Sequence, residues 1–355
     1  MLAGRMASRA VGSTYPNPPV GAIIVKDKTI ISRGWTQPYG STHAEMHAIK
    51  QVRNKKLLKG AILYCTLEPC YHRGKNPPCV HAIIKYKFAK VVISEIDKNP
   101  KVNAKSINLL KKAGIKVSIK SFGKEISELN RVFFNTLKKN EPFVTLKIAS
   151  TADGKIATKS FQSKWITNES SRLKGHQLRF LNDCMLVGSG TVKKDNPLLD
   201  CRISGLNNFS PDIFILDTNL KLAEDLKIFS LKNRKVYVFY SKNKVCKPIN
   251  KNNVTYLPLK KRNGMLDVHQ ALKEISKLGY MKILVEGGAK LSSTLLKHNL
   301  INELYWFRAS KILGGDGLAA ISTLGISKIK NMRNFQLIRY ENYENDQLSV
   351  YRRDK

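Results

Sequence analysis

Four side chains stand out for what they could do together. His43 and Glu45 share the run His43-Ala44-Glu45, Cys70 follows Pro69, and Cys79 follows Pro77-Pro78. One imidazole and two thiolates suit zinc, and three protein ligands leave the fourth tetrahedral position open, which separates catalytic from structural zinc. Water activated at such an ion needs a base beside it. Glu45, two residues after His43, is close enough to act as that proton shuttle and need not be a ligand. Eight residues, Tyr71 to Pro78, separate the two cysteines, so a loop must bring the second thiolate back. Gly74 supplies a turn in it, and Pro77 and Pro78 stiffen the return. Such a loop reaches over the pocket, where Arg73 and Lys75 could meet an anionic substrate. The competing readings are a structural zinc site with His72 or His81 as fourth ligand, and a redox pair, which the lack of a C-x-x-C run disfavours.

The second half shows no zinc site and no nucleophile triad, and its chemistry is carried by backbone and cations. Ile283-Leu284-Val285-Glu286-Gly287-Gly288 reads as a buried strand ending in two glycines before a helix from Ala289 to Lys297. Glycine at that junction lets a pyrophosphate approach the helix N-terminus, where free N–H groups and the dipole favour an anion. A simple tight turn is the alternative for an isolated Gly-Gly.

These residues need elements to hold them. In the first half, Val20 to Val25 is an apolar strand and Ile30 to Gly34 pairs with it after Lys26-Asp27-Lys28. His43 to Arg53 is a helix, Ala61 to Thr66 a strand with Cys70 just beyond it, and Pro77 to Tyr86 the helix bearing Cys79. Lys90 to Ser94, Ser106 to Ala113 and Lys116 to Ile119 continue as strand, helix and strand. Strands separated by helices imply a largely parallel sheet covered on both faces, with ligands at strand C-termini and helix N-termini. A helix from Lys124 to Lys139 ends at Asn140-Glu141-Pro142, which sets the boundary between domains 1–141 and 142–355. Beyond it come an alternating strand Phe143 to Ala149, a helix ending at Asn182, the strand Cys184 to Val187 and a turn Gly188-Ser189-Gly190-Thr191.

Composition narrows the class. The chain of 355 residues holds 62 Lys and Arg against 26 Asp and Glu, a net charge of +36. That excess would ordinarily prompt a nucleic-acid reading, but the basic residues are spread along the chain in short clusters such as Lys55-Lys56 and Lys260-Lys261-Arg262. A solvated surface that also attracts phosphorylated substrates accounts for it. No apolar run approaches the roughly 20 residues of a membrane span, and Met1 to Ala10 has no apolar core of a signal peptide. Cys65, Cys184, Cys201 and Cys246 read as buried or incidental thiols. Six cysteines without a disulfide framework indicate a reducing, cytoplasmic setting.

The H-x-E and Pro-Cys elements match the signature of zinc-dependent nucleobase deaminases, apart from the long interval before the second cysteine. Together with Pro16-Asn17-Pro18-Pro19-Val20-Gly21 and Pro77-Pro78-Cys79, they resemble the deaminase half of the bifunctional riboflavin-biosynthesis deaminase/reductases. Phe143-Val144-Thr145-Leu146-Lys147-Ile148-Ala149, Asp153-Gly154-Lys155-Ile156-Ala157, Ser163-Lys164-Trp165-Ile166-Thr167 and Gly287-Gly288 resemble the reductase half of the same family. The resemblance covers nearly the whole chain in order. It implies a cytidine-deaminase-like α/β/α domain followed by a dihydrofolate-reductase-like α/β domain, with one Zn2+ per chain and NADPH as cofactors.

Carried over residue by residue, the resemblance implies that Asn17, Lys75 and Asp97 contact the first substrate, with Lys98 standing where the family has Pro. It implies that Ser163, Arg179, Leu199, Arg202 and Glu286 bind the second substrate, the arginines through bidentate phosphate geometry. Ala149, Trp165, Thr191, Asp195, Thr218 and the run Gly288, Ala289, Lys290, Leu291, Ser292, Ser293 and Thr294 would line NADPH. Lys147, Asp153 and Glu286 are the candidates for proton donor in the reduction, and Thr151-Ala152 replaces the family's Ser-Leu. The first helix, Leu2 to Ala10, is short for the family, which implies a trimmed start or a late start codon. The expected partners are a phosphoribosylated pyrimidine and further copies of the chain through the reductase domain, without specific nucleic acid or membrane. The rivals are a nucleic-acid-editing deaminase, which would not need the second domain, a basic RNA-binding protein, which would need a stacking platform, and a chain that has lost one of its two activities.

Overall fold

Asp27 and Lys28 adopt left-handed backbone conformations, φ 48° and 63°, and so close a two-residue hairpin whose twist matches its strands. That turn joins β1 (Gly21–Lys26) to β2 (Thr29–Trp35) and makes the pair antiparallel. The computed structural model describes residues 2–100, 102–245, 249 and 251–353. Contacts divide the chain into two compact units, Met1–Glu141 and Pro142–Lys355.

The first unit begins with α1 (Leu2–Ser8), ahead of the hairpin. It continues through α2 (Ala44–Gln51), β3 (Ile62–Cys65), α3 (Cys79–Lys85), β4 (Lys90–Ile93), α4 (Lys105–Lys112), β5 (Lys116–Ile119) and α5 (Lys124–Lys139). Its sheet runs β2-β1-β3-β4-β5. The expectation of a largely parallel sheet needs correcting. β1 is antiparallel to both β2 and β3, and only the β3–β4 and β4–β5 pairs are parallel. The hairpin turn reverses the chain before the first crossover helix, so β1 enters the sheet upside down relative to β3.

Two glycines set the helices close against this sheet. A Cβ on Gly21 would lie 1.9 Å from the Ala3 carbonyl oxygen of α1, and one on Gly34 would lie 2.3 Å from the Ala44 carbonyl oxygen of α2. The α2 backbone therefore rests directly on β2, and this seat fixes the height of His43 and Glu45. Ala3 and Met6 of α1 pack with Ile23, backed by Val25, Trp35 and Tyr64.

The second unit opens with β6 (Phe143–Thr151), β7 (Lys155–Thr158), α6 (Glu169–Phe180), β8 (Cys184–Gly188), α7 (Ser189–Asp195), β9 (Asp212–Leu216), β10 (Val236–Ser241) and β11 (Val254–Leu259). A short hairpin of β12 (Lys261–Arg262) and β13 (Met265–Leu266) follows, then α8 (Val268–Lys277), β14 (Lys282–Val285), α9 (Ala289–Lys297), β15 (Glu303–Ala309), β16 (Gly317–Ala319), β17 (Phe335–Tyr343) and β18 (Asp346–Arg353). Among the described residues the main sheet has nine strands in the order β11-β10-β9-β8-β14-β6-β15-β18-β17. It is parallel from β11 to β15 and antiparallel at β15–β18 and β18–β17.

β6 is a central strand buried on both faces, so the polar Thr145 is fully buried there and the expected alternation is lost. The expected turn over Gly188 to Thr191 is also corrected: Gly188 ends β8 and Ser189 begins α7, with Gly188 as its N-cap. Among the described residues Cys65, Cys184 and Cys201 are buried free thiols; Cys246 lies outside the described residues. No described helix is long and apolar enough to cross a membrane.

Candidate active site

His43 is the N-cap of α2, Cys79 opens α3, and Cys70 lies beyond the end of β3. Their donor atoms converge. His43 Nδ1 is 3.3 Å from Cys70 Sγ and 3.6 Å from Cys79 Sγ, and one ligand atom from each of the three residues falls within 4.8 Å of the others. Zinc bonds to nitrogen and sulfur, about 2.0 and 2.3 Å long and meeting near the tetrahedral angle, put their outer atoms about 3.5 Å apart. The donor set therefore fits a zinc ion. The Cys79 N–H donates to Cys70 Sγ at 3.2 Å, so the first turn of α3 presents a backbone donor to that sulfur. Hydrogen bonding from the Cys79 thiol, together with His43, draws Cys70 down towards the thiolate against the opposing effect of burial, the form that binds metal.

Glu45 is 3% exposed in the first turn of α2. Burial pushes its carboxyl up to about 7, the Cys70 charge adding and His43 opposing. A carboxyl balanced there can both accept and release a proton near neutral pH. The ligand set and Glu45 lie by a cavity of about 350 Å³, which Asn17, Lys75 and Asp97 also line. Asp97 is buried and its Oδ1 accepts from the Asn99 N–H at 2.8 Å; burial raises it to about 6, partly offset by that bond and reinforced by Glu68.

The insert is docked on the neighbouring loop. Lys75 Nζ stands 4.2 Å from the centre of the Tyr39 ring, and Asn76 Nδ2 donates to the Ser41 carbonyl at 2.6 Å. His72 borders the cavity but is not in the ligand cluster, and neither is His81. Tyr39, Glu68 and Asn99 also line this cavity and were not singled out in the sequence. Only the acid in the otherwise apolar run ahead of Pro69-Cys70 could have drawn attention.

In the second unit the strand ends gather a different set. Val285 lies level with Leu146 of β6 and Leu186 of β8, so Glu286 leaves the end of β14 level with Lys147 of β6 and Val187 of β8, where β14 is inserted between β8 and β6 and the strand order reverses. Such edges hold ligands in open parallel sheets. Arg179 grips Glu286 with a two-pronged bond, Nε to Oε1 at 2.7 Å and Nη2 to Oε2 at 2.9 Å, and gives Nη1 to the Asp200 carbonyl at 2.9 Å. Lys147 Nζ lies 3.8 Å from Glu286 Oε2. Burial would raise Glu286, but Arg179 and Lys147 outweigh it and hold the carboxyl at about 2.

Arg202 is exposed, with Nε donating to Asp200 Oδ1 at 3.0 Å. Leu199 is buried at φ 51°, and its carbonyl accepts from Arg234 at 2.9 Å. Among the candidate proton donors, Asp153 is committed to structure. It accepts from the Thr151 hydroxyl at 2.5 Å, from Gly314 N–H at 2.7 Å and from Leu313 N–H at 3.2 Å.

The glycine backbone beside the same strand ends is open. A Cβ built on Gly188, Gly190 or Gly288 would meet no atom within 4 Å, so the backbone there is open to close approach, as a pyrophosphate requires. The residues present therefore fit NADPH. Ser163 and Trp165 are exposed ahead of α6, the Trp165 ring lying 4.6 Å from the Arg172 guanidinium, and Lys311 Nζ donates to the Trp165 carbonyl at 3.2 Å. Thr191 and Asp195 belong to α7, Thr218 follows β9 and Ala149 is near the end of β6. The α9 run divides. Gly288 and Lys290 are exposed and Ala289 half-buried, whereas Leu291, Ser292 and Ser293 face inward. Ser293 Oγ accepts from the Ser322 N–H at 2.6 Å, and Thr294 Oγ1 donates to the Lys290 carbonyl at 2.8 Å.

Two family profiles match the chain: the cytidine and deoxycytidylate deaminase zinc-binding region over residues 1–95, and the RibD C-terminal domain over residues 142–349. The riboflavin biosynthesis protein RibD of Bacillus amyloliquefaciens is 37% identical over 335 residues, 93% of this chain and 89% of that protein. The solved structure of Acinetobacter baumannii RibD is 30% identical, with a TM-score of 0.89 over 100% of this chain and 97% of that one. A Thermotoga maritima structure, described as a diaminohydroxyphosphoribosylaminopyrimidine deaminase/5-amino-6-(5-phosphoribosylamino)uracil reductase, is 34% identical, with a TM-score of 0.87 over 99% and 97% of the two chains.

Proposed function

The chain belongs to the RibD family of bifunctional riboflavin-biosynthesis deaminase/reductases, and from that premise we propose how its residues divide the two reactions. Residues 1–141 carry the hydrolytic deamination of 2,5-diamino-6-(5-phosphoribosylamino)pyrimidin-4(3H)-one, and residues 142–355 the NADPH-dependent reduction of the ribosyl group of 5-amino-6-(5-phosphoribosylamino)uracil to ribityl. The observation that carries the first assignment is the convergence of His43 Nδ1 with the two sulfurs beside buried Glu45.

His43, Cys70 and Cys79 would hold the zinc ion, which when bound supplies a Lewis acid that makes water nucleophilic at neutral pH. Glu45 takes a proton from the attacking water and passes one to the departing amine, so that ammonia leaves the pyrimidine carbon. Asn17 and Asp97 orient the ring from the cavity wall, and Lys75 meets the phosphate.

In the second unit the open glycine backbone and Trp165 receive NADPH, the source of the reducing equivalents. Glu286, fixed by Arg179 and Lys147, orients the sugar, and exposed Arg202 reaches the phosphate. Lys147 is the proton donor this arrangement favours: burial and Arg179 pull its amine below the usual lysine range, with Glu286 opposing, and Asp153 is already engaged.

We further propose a cytoplasmic homo-oligomer built through the second unit. The apolar edge of β17, where Leu337 is 52% and Tyr340 48% exposed, supports it. The spread of basic residues supports a solvated surface without specific nucleic-acid binding.

The test follows ammonia release and NADPH oxidation separately. Wild type is expected to perform both, and Glu45→Ala to stop ammonia release while still reducing the deaminated intermediate. An RNA homopolymer at physiological salt should leave both rates unchanged. Zinc-loaded wild type that releases no ammonia would sink the assignment and return an editing or single-activity enzyme to first place.

A further inference from the structure

Glu68 is 3% exposed and lies between β3 and Cys70. It borders the cavity, yet both of its oxygens are engaged elsewhere. Oε2 accepts from the Asp97 N–H at 3.2 Å and the Ala104 N–H at 3.0 Å, and Oε1 accepts from the Ser106 hydroxyl at 2.7 Å. One carboxylate thus ties down the segment 97–104 at both ends, together with the first turn of α4. Ala104 stands at φ 59° without a side-chain cap, a left-handed conformation that is unfavourable for a non-glycine residue. The bond to Glu68 helps hold it there. The tethered segment carries the cavity wall formed by Asp97, Asn99 and Val102.

We propose that Glu68 is a positioning residue of the deaminase. By accepting from the backbone N–H groups of Asp97 and Ala104 it holds Asp97 and Asn99 against the pyrimidine, and so sets substrate affinity more than the rate of proton transfer. The proposal rests on the reading of Asp97 as a substrate contact. Three donors converge on the carboxylate, and a glutamine could still satisfy them: its carbonyl accepts the two backbone N–H groups, while the Ser106 hydroxyl rotates to accept from the amide. Alanine leaves all three donors without their partner.

The experiment compares Glu68→Ala, Glu68→Gln, Asp97→Ala and the Glu68→Ala/Asp97→Ala double variant, measuring KM and kcat for ammonia release, zinc per chain, and reduction of the deaminated intermediate. Glu68→Ala should raise KM about tenfold with kcat within about twofold, because the wall that carries Asp97 and Asn99 loses its three buried hydrogen bonds while Glu45 keeps its place. Zinc content and reductase turnover should stay at wild-type levels, and Glu68→Gln should recover most of the KM. In the Asp97→Ala background the Glu68→Ala change should add less than about twofold, as expected when one residue acts through the other.

A fall in kcat and zinc content alongside KM, or a full additive effect in the Asp97→Ala background, overturns the proposal. If Asp97→Ala leaves KM unchanged, the reading of Asp97 as a contact fails and the proposal falls with it. Should Glu68→Ala not fold, Ser106→Ala removes the Oε1 partner alone. It should raise KM about threefold at constant kcat, and an unchanged KM would count against the clamp.

Discussion

Glu286 shows how far a single residue can be argued. Its carboxyl falls from an ordinary 4.5 to about 2, burial opposing and Arg179 and Lys147 prevailing. A depressed carboxylate stabilises the fold above its unfolded pKa and loses that contribution as pH falls through the folded one. At about 1.4 kcal/mol per unit of pKa difference, the contribution is about 3 kcal/mol at pH 7, lost between roughly pH 5 and pH 2. Glu286→Gln, which mimics the protonated acid, should therefore be less stable than wild type by about that amount at neutral pH. The gap should close as pH drops towards 2. Denaturant titration across this range checks it, and a gap independent of pH would show that the charge of Glu286 does not hold Arg179 in place. At this scale the zinc ligands were legible because histidine, cysteine and their spacing are properties of the chain itself. The partners of Glu68 were not, since Asp97, Ala104 and Ser106 lie 29, 36 and 38 residues downstream and meet it only after β4 has been laid beside β3.

Elements were legible where hydrophobic period and turn residues agreed, as in the 16-residue α5 and in the pairing of β1 with β2 across Asp27-Lys28. That β1 also lies antiparallel to β3 was not, because it depends on where the hairpin enters the sheet. α7 was missed because two glycines in Gly188-Ser189-Gly190-Thr191 resemble a loop, whereas Gly188 caps the helix that follows. Gly34 gives the element scale its test. With a Cβ 2.3 Å from the Ala44 carbonyl oxygen and 2.5 Å from the Ala48 nitrogen, Gly34→Ala must lift α2 off β2, because the obstacle is backbone. The unit should lose roughly 1–3 kcal/mol, the usual cost of overpacking. Glu45 should move relative to Cys70 and Cys79, whose elements do not rest on Gly34, so the deaminase kcat should fall at least about tenfold, since small misplacements of reacting groups are costly. NADPH oxidation with the deaminated intermediate is the internal control and should be unaffected; an unchanged kcat for ammonia release would mean that α2 does not set the height of Glu45.

At the scale of the whole molecule, each unit has its own sheet and helices, and the question is what closes the open edge of the second. β17 pairs with β18 on one side and ends the nine-stranded order. Leu337, Ile338 and Tyr340 are exposed on it at 52%, 37% and 48%. Proteins blunt such edges with charge, bulges or covering elements, because a long apolar edge otherwise recruits another strand. Arg339 and Glu341 supply some charge, and the register breaks between Leu337 and Arg339, yet nine residues remain extended. A net charge of +36 also opposes indiscriminate association, so any partner must gain more from burial than it loses to repulsion. The second copy proposed above would meet this condition at a two-fold axis, where the same apolar residues would appear twice and any substitution would be felt twice. Wild type is therefore expected to sediment as a dimer or larger assembly at micromolar concentration. Leu337→Lys, which places two like charges in that contact, should shift it to monomer while leaving zinc content and ammonia release intact. A monomeric wild type, or a Leu337→Lys variant that still associates, would remove β17 as the contact and leave its apolar edge without an assigned role.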